Sequence, residues 1–215
     1  MRFHIIAVFP DALASYLNAS LVSRAQERGA ISVHTYALRE YTTDKHGKVD
    51  DRPYGGGPGM VLHAQPIIAA LEDALDGAEK SQIVFFSPRG EQFDNALADT
   101  YAQTYTDIIF VCGHYEGIDA RVKDIFPMTD ISIGPYVLTG GELPAAVMID
   151  AITRRLPGVL GNELSVEEGR VAGKDVYTRP ECFSYNEKEY CVPEVLRSGD
   201  HAKIDAFRQG IDEEE

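Results

Sequence analysis

The chain has 215 residues, of which 44% are hydrophobic and 25% are charged, as in an ordinary soluble globular protein. Its formal net charge of −14 argues against non-specific binding of nucleic acids, because contacts to phosphates require lysine and arginine. No apolar run approaches the roughly 20 residues of a membrane-spanning helix, and no export signal is evident, so we expect a cytoplasmic protein without membrane contact.

Strand and helix patterns alternate through the first 156 residues. This alternation predicts an α/β fold with a mostly parallel sheet and helices on both of its faces. In chain order, the predicted elements are a strand at Arg2–Phe9, a helix between a capping Ser20 and Gly29, a half-buried strand at 31–37, a helix opened by Pro66, a strand at Ile83–Phe86, a helix capped by Asp94, strands at Ile108–Cys112 and Asp130–Ile133, and a helix at about Leu143–Leu156.

The character of the sequence changes after Leu156. Residues 157–180 lack an apolar period and are rich in glycine and charge, which is typical of a linker. A short helix follows, with Asp200 as its N-cap and Gly210 as its stop. We therefore expect a main domain at 1–160, a flexible linker at 161–180 and a small C-terminal helical domain at 181–215.

The cysteine and histidine spacings predict neither a disulfide nor a metal site. Cys112, Cys182 and Cys191 are odd in number and never form a C-x-x-C pair, which favours reduced cytosolic thiols. The six histidines show no H-x-x-x-H or H-E-x-x-H spacing.

Residues 50–59 read Asp-Asp-Arg-Pro-Tyr-Gly-Gly-Gly-Pro-Gly and predict a shaped binding loop. Glycine and proline at this density exclude a helix or a central strand, and glycine allows a ligand or another backbone to approach closely. A solvated connection is the simpler interpretation, but binding groups are concentrated in loops, so we favour a functional role.

Three further loops follow predicted strands, at residues 87–90, 113–117 and 134–141. The carboxyl ends of parallel strands form the ligand crevice of an open α/β sheet, so these loops predict one small-molecule site. Backbone groups between Ile133 and Leu138 suit a flat, uncharged base such as adenine, and Glu116 suits a cationic group of the same ligand. The P-loop, G-x-G-x-x-G and G-x-S-x-G motifs are all missing from the chain.

These segments resemble the bacterial tRNA (guanine-N1)-methyltransferase family, which modifies the guanosine 3′ of the anticodon, at tRNA position 37. The resemblance implies a SPOUT fold with a deep trefoil knot, S-adenosylmethionine as methyl donor, a homodimer with composite active sites, a clamp on the tRNA anticodon stem-loop and a dependence on Mg²⁺. The matching segments, which cover most of the chain in the family's order, are Phe9-Pro10, Val49–Met60, Ser87-Pro88, Val111–Asp119 with Arg121, Ser132–Ala145, Gly158–Gly161 and Tyr177–Pro180.

The resemblance also implies residue roles. Arg154 matches the catalytic arginine, although a helix C-terminal arginine facing the helix dipole is the simpler alternative. The loop that approaches tRNA and the partner chain matches His46, Asp50, Arg52, Gly55, Gly56, Gly57 and Gly59. The donor pocket is expected to comprise Phe86, Ser87, Pro88, Gly113, Tyr115, Glu116, Ile133, Gly134, Pro135, Tyr136, Val137, Leu138, Gly140, Gly141 and Pro144, of which Pro135 replaces the family's usual acidic residue.

Two features depart from the family pattern. Gly169 occupies the position of the family's general base, so we assign that role to Glu168, with Glu167 second and Asp175 or solvent as replacements. The C-terminal domain is also shorter than is usual in the family. Two alternatives therefore stay open: a non-catalytic relative that binds RNA or the cofactor, and a SPOUT methyltransferase that acts on another RNA.

Overall fold

The computed structural model describes residues 1–160 and 175–209. The chain divides into two compact units, Met1–Leu160 and Gly161–Glu215. Short 3₁₀ helices lie at Pro10–Leu13 and Leu38–Glu40. The other elements of the first unit are β1 (Arg2–Ala7), α1 (Ala14–Leu17), α2 (Ser20–Glu27), β2 (Ser32–Ala37), β3 (Asp50–Asp51), β4 (Val61–Leu62), α3 (Ala64–Leu75), β5 (Ser81–Gln92), α4 (Asn95–Thr104), β6 (Asp107–Val111), α5 (Arg121–Ile125), β7 (Thr129–Ser132) and α6 (Glu142–Thr153).

The central sheet confirms the predicted α/β architecture. Its strand order is β2-β1-β6-β5-β7, and all of these pairings are parallel. Alternate side chains of the strands enter two separate cores. Phe3 and Phe110 pack on the face covered by α2, α4 and α6, whereas Ile6 and Ile109 pack on the face covered by α3 and α5. The trefoil knot implied by the resemblance stays a prediction.

The signals for helix ends were mostly correct. Asp94 Oδ1 accepts a hydrogen bond from the Leu97 backbone N–H at 2.8 Å, which confirms the predicted N-cap of α4. Gly29 follows α2 with φ +70°, as expected for a stop signal. The Ser20 cap was wrong: α2 begins at Ser20 itself, and its N-cap is Ala19 without a side-chain hydrogen bond.

Two strand predictions need correction. The predicted strand Ile83–Phe86 does not close at residues 87–90, because β5 continues to Gln92 with a shift of register against β7 between Phe86 and Glu91. Such an irregularity admits Ser87–Gly90 without ending the strand. The strand at 31–37 shows no clean alternation of burial, because β2 lies at the edge of the sheet with few neighbours.

A buried polar network lies at the start of β1 and β6, away from the carboxyl ends of the strands. Asp107 is fully buried and accepts from Arg2 Nε at 2.6 Å, while His4 Nε2 lies 3.0 Å from the same carboxylate oxygen. The other ring nitrogen of His4 lies 2.9 Å from the Tyr36 hydroxyl. Burial lowers the pKa of His4. Burial opposes ionisation of Asp107, but its hydrogen bonds from Arg2, Thr106 and His4 hold its pKa below the usual value.

We expect this network to make stability depend on pH. A histidine whose pKa is lower in the folded state stabilises the protein above its unfolded pKa of about 6.5, and this contribution is lost as pH falls below that value. The Asp107 contribution is present above about pH 4 and is lost as pH falls further. Urea unfolding should therefore show the free energy of unfolding falling from pH 7 to pH 5. His4→Gln should flatten this slope, whereas substitution of the exposed His46 by Gln should not; equal slopes in all three proteins would contradict the assignment.

The second unit contains a β-hairpin and a helix in its described part. These elements are β8 (Cys182–Tyr185), β9 (Lys188–Cys191), a 3₁₀ helix at Glu194–Arg197 and α7 (His201–Gln209). Asp200 Oδ1 accepts from the Ala202 backbone N–H at 3.1 Å, which confirms the N-cap of α7. The predicted Gly210 stop and residues 161–174 of the linker lie outside the described residues.

The prediction of reduced thiols was wrong for two of the three cysteines. Cys182 and Cys191 form a disulfide, whereas Cys112 is free and buried. The two bonded residues are directly opposite each other on β8 and β9, with their Cα atoms 4.1 Å apart. Hairpin register creates this proximity, and the count and spacing of cysteines do not reveal it.

Candidate active site

One cavity is enclosed by residues 85–88 within β5 and by the loops that follow β6 and β7. The predicted convergence is confirmed for these two loops, whereas the third predicted loop, at residues 87–90, is part of β5. Every residue expected in the donor pocket lines the cavity except Pro135. The cavity is also lined by residues that sequence reasoning did not nominate, namely Phe85, His114, Gly117, Ile131, Ser132 and Thr139.

Glycine is required where the loop after β6 meets the loop after β7 at the cavity. The Gly141 backbone N–H donates to the Gly113 carbonyl at 3.1 Å, and His114 forms a β-bridge with Gly140. A Cβ atom on Gly141 would lie 2.6 Å from the Cα atom of Cys112, and one on Gly140 would lie 2.3 Å from His114 Nε2. The loops can approach this closely only because both positions lack side chains.

The loop after β7 is held by its own hydrogen bonds. Ser132 Oγ accepts from the Gly134 backbone N–H at 3.2 Å, and the Tyr136 hydroxyl donates to the Ile133 carbonyl at 3.0 Å. Val137 and Leu138 are exposed beside these bonds. The segment therefore presents backbone groups and apolar side chains to the cavity, as expected for a surface that holds a flat base.

A histidine in the cavity wall is paired with a glutamate. Both carboxylate oxygens of Glu142 lie within hydrogen-bond distance of His114 Nε2, at 2.9 and 3.0 Å. Both side chains are nearly buried, and the Phe9 ring packs edge-on against the imidazole, with centroids 5.5 Å apart. Both residues could have been identified from their neighbours in the sequence. His114 lies between Gly113 and Tyr115, and Glu142 follows Gly141 at the start of α6.

The free cysteine lies next to this pair. Burial raises the pKa of the Cys112 thiol well above its usual value, and the nearby Glu142 carboxylate raises it further. Cys112 is therefore a protonated packing residue below Gly141, and a thiolate nucleophile at this position is not expected.

The glycine-rich loop lies between β3 and β4 and reaches the rim of the cavity. Gly55, Gly56, Gly57 and Gly59 all have positive φ, which explains why glycine occupies these positions. The Met60 carbonyl accepts from the Glu116 backbone N–H at 3.0 Å, and a Cβ atom on Gly59 would lie 2.5 Å from Glu116 Oε1. The loop therefore contacts Glu116, which also lines the cavity.

The first part of this loop region carries the polar residues matched to tRNA contact. Asp44 Oδ1 accepts from the backbone N–H groups of His46 and Lys48, and Lys48 Nζ pairs with Asp51 at 2.8 Å. His46 and Arg52 are exposed, and Asp50 is partly buried. These side chains stand on an ordered turn and hairpin.

The whole chain is similar to proteins of one enzyme family. A family model described as tRNA (Guanine-1)-methyltransferase TrmD matches residues 1–215. A tRNA (guanine-N(1)-)-methyltransferase of Moorella thermoacetica is 45% identical over 97% of this chain and 84% of its own length. Its counterpart in Clostridioides difficile is 44% identical over 97% of this chain and 91% of its own length. The chain belongs to the tRNA (guanine-N1)-methyltransferase family.

A solved structure of the same family has the same fold. The tRNA (m1G37) methyltransferase of Aquifex aeolicus superimposes with a TM-score of 0.80 at 36% identity, covering 98% of this chain and 88% of that chain. The predicted family and the SPOUT-type α/β fold are thus confirmed.

Membership in the methyltransferase family directs attention to Arg154, which lies at the C-cap of α6. Residues 1–160 and 175–209 provide no side-chain hydrogen bond or ion pair for its guanidinium. The neighbouring Arg155 pairs with Asp99 at 2.9 Å and donates to the Ala151 carbonyl. Arg155 therefore has a structural role, whereas Arg154 is available for another one.

Arg154 and the donor pocket occupy opposite ends of α6. Gly141 and Pro144 line the cavity at the N-terminal end, and a rise of 1.5 Å per residue places the Arg154 backbone roughly 20 Å from Gly141 and roughly 15 Å from Pro144. The structure therefore does not bring the expected catalytic arginine to the pocket of its own chain. Glu167 and Glu168 lie outside the described residues.

Proposed function

We propose that this chain transfers a methyl group from S-adenosylmethionine to N1 of guanine 37 in tRNA and releases S-adenosylhomocysteine. The observation that carries the proposal is the three-segment cavity in a chain that belongs to this methyltransferase family over its whole length. The alternatives from the sequence, a non-catalytic relative or a SPOUT enzyme for another RNA, have no comparable support.

The residues around the cavity fit the proposed donor. The close-packed Gly113, Gly140 and Gly141 let backbone groups reach the ligand, while Ile133 and Leu138 can hold the faces of an adenine. Glu116 at the rim supplies a carboxylate for the donor's amino or sulfonium group. When bound, S-adenosylmethionine supplies an electrophilic methyl group on a positively charged sulfur.

The protein's part in the reaction is to place the guanine and manage its charge. N1 must lose its proton as the ring forms a bond to the methyl carbon and the bond from that carbon to sulfur breaks. Negative charge then develops on O6, and the guanidinium of Arg154 would donate hydrogen bonds to that atom. Such donors act most strongly on charge that grows in the transition state.

We infer that the active site is composite and that the chain works as a homodimer. Arg154 does not line the pocket of its own chain and lies roughly 15 Å along α6 from Pro144, the lining residue of this helix nearest to it, which favours its supply by a second copy. On α6, Leu143 and Val147 share a face with Asp150 and Arg154 and are 61% and 46% exposed, although the opposite side of the helix is already buried in the core. Exposed apolar side chains on a helix whose opposite side is already buried favour a partner surface at this face.

The glycine-rich loop is proposed to approach tRNA. It carries the exposed Arg52 and contacts Glu116 of the donor pocket at Gly59 and Met60, and the exposed His46 lies in the turn that precedes β3. The same loop can thereby place the target nucleotide near the donor. A clamp on the anticodon stem-loop by residues 181–215, a cytoplasmic location and the domain boundaries stay predictions from the sequence.

The Mg²⁺ dependence is also proposed from the family resemblance alone. Within the described residues, the three side chains close enough to share an ion are Cys182, Glu189 and Cys191, but the two cysteines form a disulfide and offer no thiolate. Mg²⁺ prefers oxygen ligands, so this group does not fit it. No helix in the described part of the chain is long and apolar enough to cross a membrane.

Glu168→Gln tests the proposed general base. The substitution keeps the size of the side chain and removes its basicity, so the single-turnover rate should fall by about 10²–10⁴-fold while donor affinity stays constant. Glu167→Gln is the comparison variant and should have the smaller effect. Full rates in both variants would exclude both residues and leave Asp175 or solvent as the proton acceptor.

Primer extension on modified tRNA tests the proposed function itself. Wild-type protein incubated with S-adenosylmethionine and tRNA should produce a reverse-transcription stop at guanine 37, because N1-methylation blocks base pairing. A tRNA with adenine at position 37 is the matched control and should give no stop. Donor binding without any methylation of tRNA would support the non-catalytic alternative.

A further inference from the structure

The β8–β9 hairpin has two faces of different chemistry. Its antiparallel register is regular, pairing Phe183 with Tyr190 and Ser184 with Glu189. Because side chains alternate along a strand, each face collects residues from both strands. One face carries Cys182, Ser184, Glu189 and Cys191, and the other carries Phe183, Tyr185, Lys188 and Tyr190.

The second of these, the aromatic face, is largely open to solvent. Phe183 and Tyr190 stack across the strands with ring planes 17° apart and centroids 5.7 Å apart. Phe183 is 58% exposed and Tyr185 is 64% exposed. Exposed aromatic clusters of this kind usually mark an interaction site, since burial of the rings would otherwise stabilise the fold.

The two faces also differ in the charged residues they carry. Lys188 Nζ lies 5.2 Å from the centre of the Tyr190 ring, so a cation stands beside the aromatic cluster. The acidic Glu189 belongs to the opposite face, and Glu181 at the base of the hairpin is paired with Arg197. An anionic partner with flat rings is therefore complementary to the aromatic face.

We propose that the aromatic face binds unpaired nucleotides of the tRNA substrate, with bases stacked on Phe183, Tyr185 and Tyr190 and a phosphate near Lys188. This inference rests on the proposed function, which supplies an RNA partner. Every base offers a π-face, so such stacking tolerates different sequences, and a nearby cation contacts the backbone. The hairpin would thus increase the affinity for tRNA, and it would not take part in recognising the target guanine.

The disulfide supports this role from the opposite face. A two-stranded hairpin in water is at best marginally stable, and every residue of β9 is exposed. The Cys182–Cys191 bond joins the two strands at directly opposed positions. It thereby fixes the register that keeps Phe183 beside Tyr190, so the aromatic pair is formed before RNA arrives.

Measurement of tRNA affinity by the full-length chain tests the proposal. Phe183→Ala and Tyr190→Ala should each weaken the Kd for tRNA by about tenfold or more, the effect of losing one stacked base. Ser184→Ala, on the opposite face of the same strand, is the matched control and should bind as wild type does. Phe183→Tyr keeps a ring and should restore affinity, which separates stacking from damage to the hairpin.

Other measurements distinguish failure of this inference from failure of the proposed function. Calorimetric affinity for S-adenosylmethionine should be unchanged in all four variants. If wild type methylates tRNA while Phe183→Ala and Tyr190→Ala bind it as tightly as Ser184→Ala does, the aromatic face is not an RNA site. Dissociation of dimers by Phe183→Ala in light scattering, with tRNA affinity per dimer unchanged, would instead assign the face to chain association. If wild type neither binds nor methylates tRNA, the proposed function itself is wrong.

Discussion

Arg154→Ala is expected to lower the single-turnover rate of methyl transfer by about 10²–10³-fold, the usual cost of losing one hydrogen-bond donor to a developing oxyanion. Affinity for S-adenosylmethionine should not change, because Arg154 lies at the far end of α6 from the pocket of its own chain. Rapid-quench measurement with saturating donor and tRNA separates these two quantities. Arg154→Lys keeps the charge but loses the planar guanidinium, so it should restore only part of the rate.

Thermal unfolding provides the control for this variant. Arg154 has no side-chain partner within residues 1–160 and 175–209, so Arg154→Ala should unfold close to the wild-type temperature. Arg155→Ala loses the ion pair to Asp99 and should unfold at a lower temperature. A large loss of stability in Arg154→Ala together with a wild-type rate would support the simpler interpretation, an arginine that interacts with the end of the helix.

Gly141→Val is expected to weaken donor binding by more than tenfold. Even the Cβ atom would lie 2.6 Å from the Cα atom of Cys112 and 3.1 Å from the Phe86 ring, so the loop must move. That movement would break the hydrogen bond from the Gly141 N–H to the Gly113 carbonyl and separate two walls of the cavity. Isothermal titration calorimetry with S-adenosylmethionine measures the loss.

A graded series gives this prediction its control. Gly141→Ala adds the Cβ atom alone and should weaken binding less than Gly141→Val does, because only the branched side chain extends further into the contact. Circular dichroism must show that both variants remain folded. Wild-type affinity in a folded Gly141→Val protein would remove this loop from the donor site.

The sequence predicted the main sheet well because its signals are local and strong. The apolar runs at Arg2–Ala7 and Asp107–Val111 became the two central strands, and Asp94 and Asp200 capped helices as expected. Glycine density alone also located the loop at 55–59, where four glycines adopt positive φ. Each of these features depends on residues that are close in sequence.

Features that depend on pairing between distant residues were harder to predict from the sequence. The disulfide requires the register of β8 against β9, and the continuation of β5 to Gln92 requires an irregular ladder with β7. The His114–Glu142 pair joins residues 28 positions apart that meet only because the Gly113 and Gly141 backbones touch. Periodicity of hydrophobic residues carries no information about such contacts.

The expectation about nucleic-acid binding shows that overall composition is a weak predictor of function. A net charge of −14 argued against nucleic-acid binding, yet the chain belongs to a family of tRNA-modifying enzymes. Net charge averages over the whole surface, whereas contacts to RNA depend on a few placed cations, for which we propose Arg52 and Lys188. The methylated position could be inferred only from the family resemblance, because cavity geometry does not specify a tRNA nucleotide.

In the proposed homodimer, the donor pocket of one chain works with Arg154 of the other. Arg154→Ala and Gly141→Val chains, each strongly impaired alone when the donor is far below saturation, can be mixed, dissociated and reassociated before methylation of tRNA is measured under that condition. Random pairing places half of the chains in heterodimers, in which the intact pocket of the first chain meets the intact Arg154 of the second. Such mixtures should recover about one quarter of the wild-type rate, since one of two composite sites is complete in half of the dimers. If both residues served the same chain's site, the mixture would stay inactive, and that result would contradict the composite site.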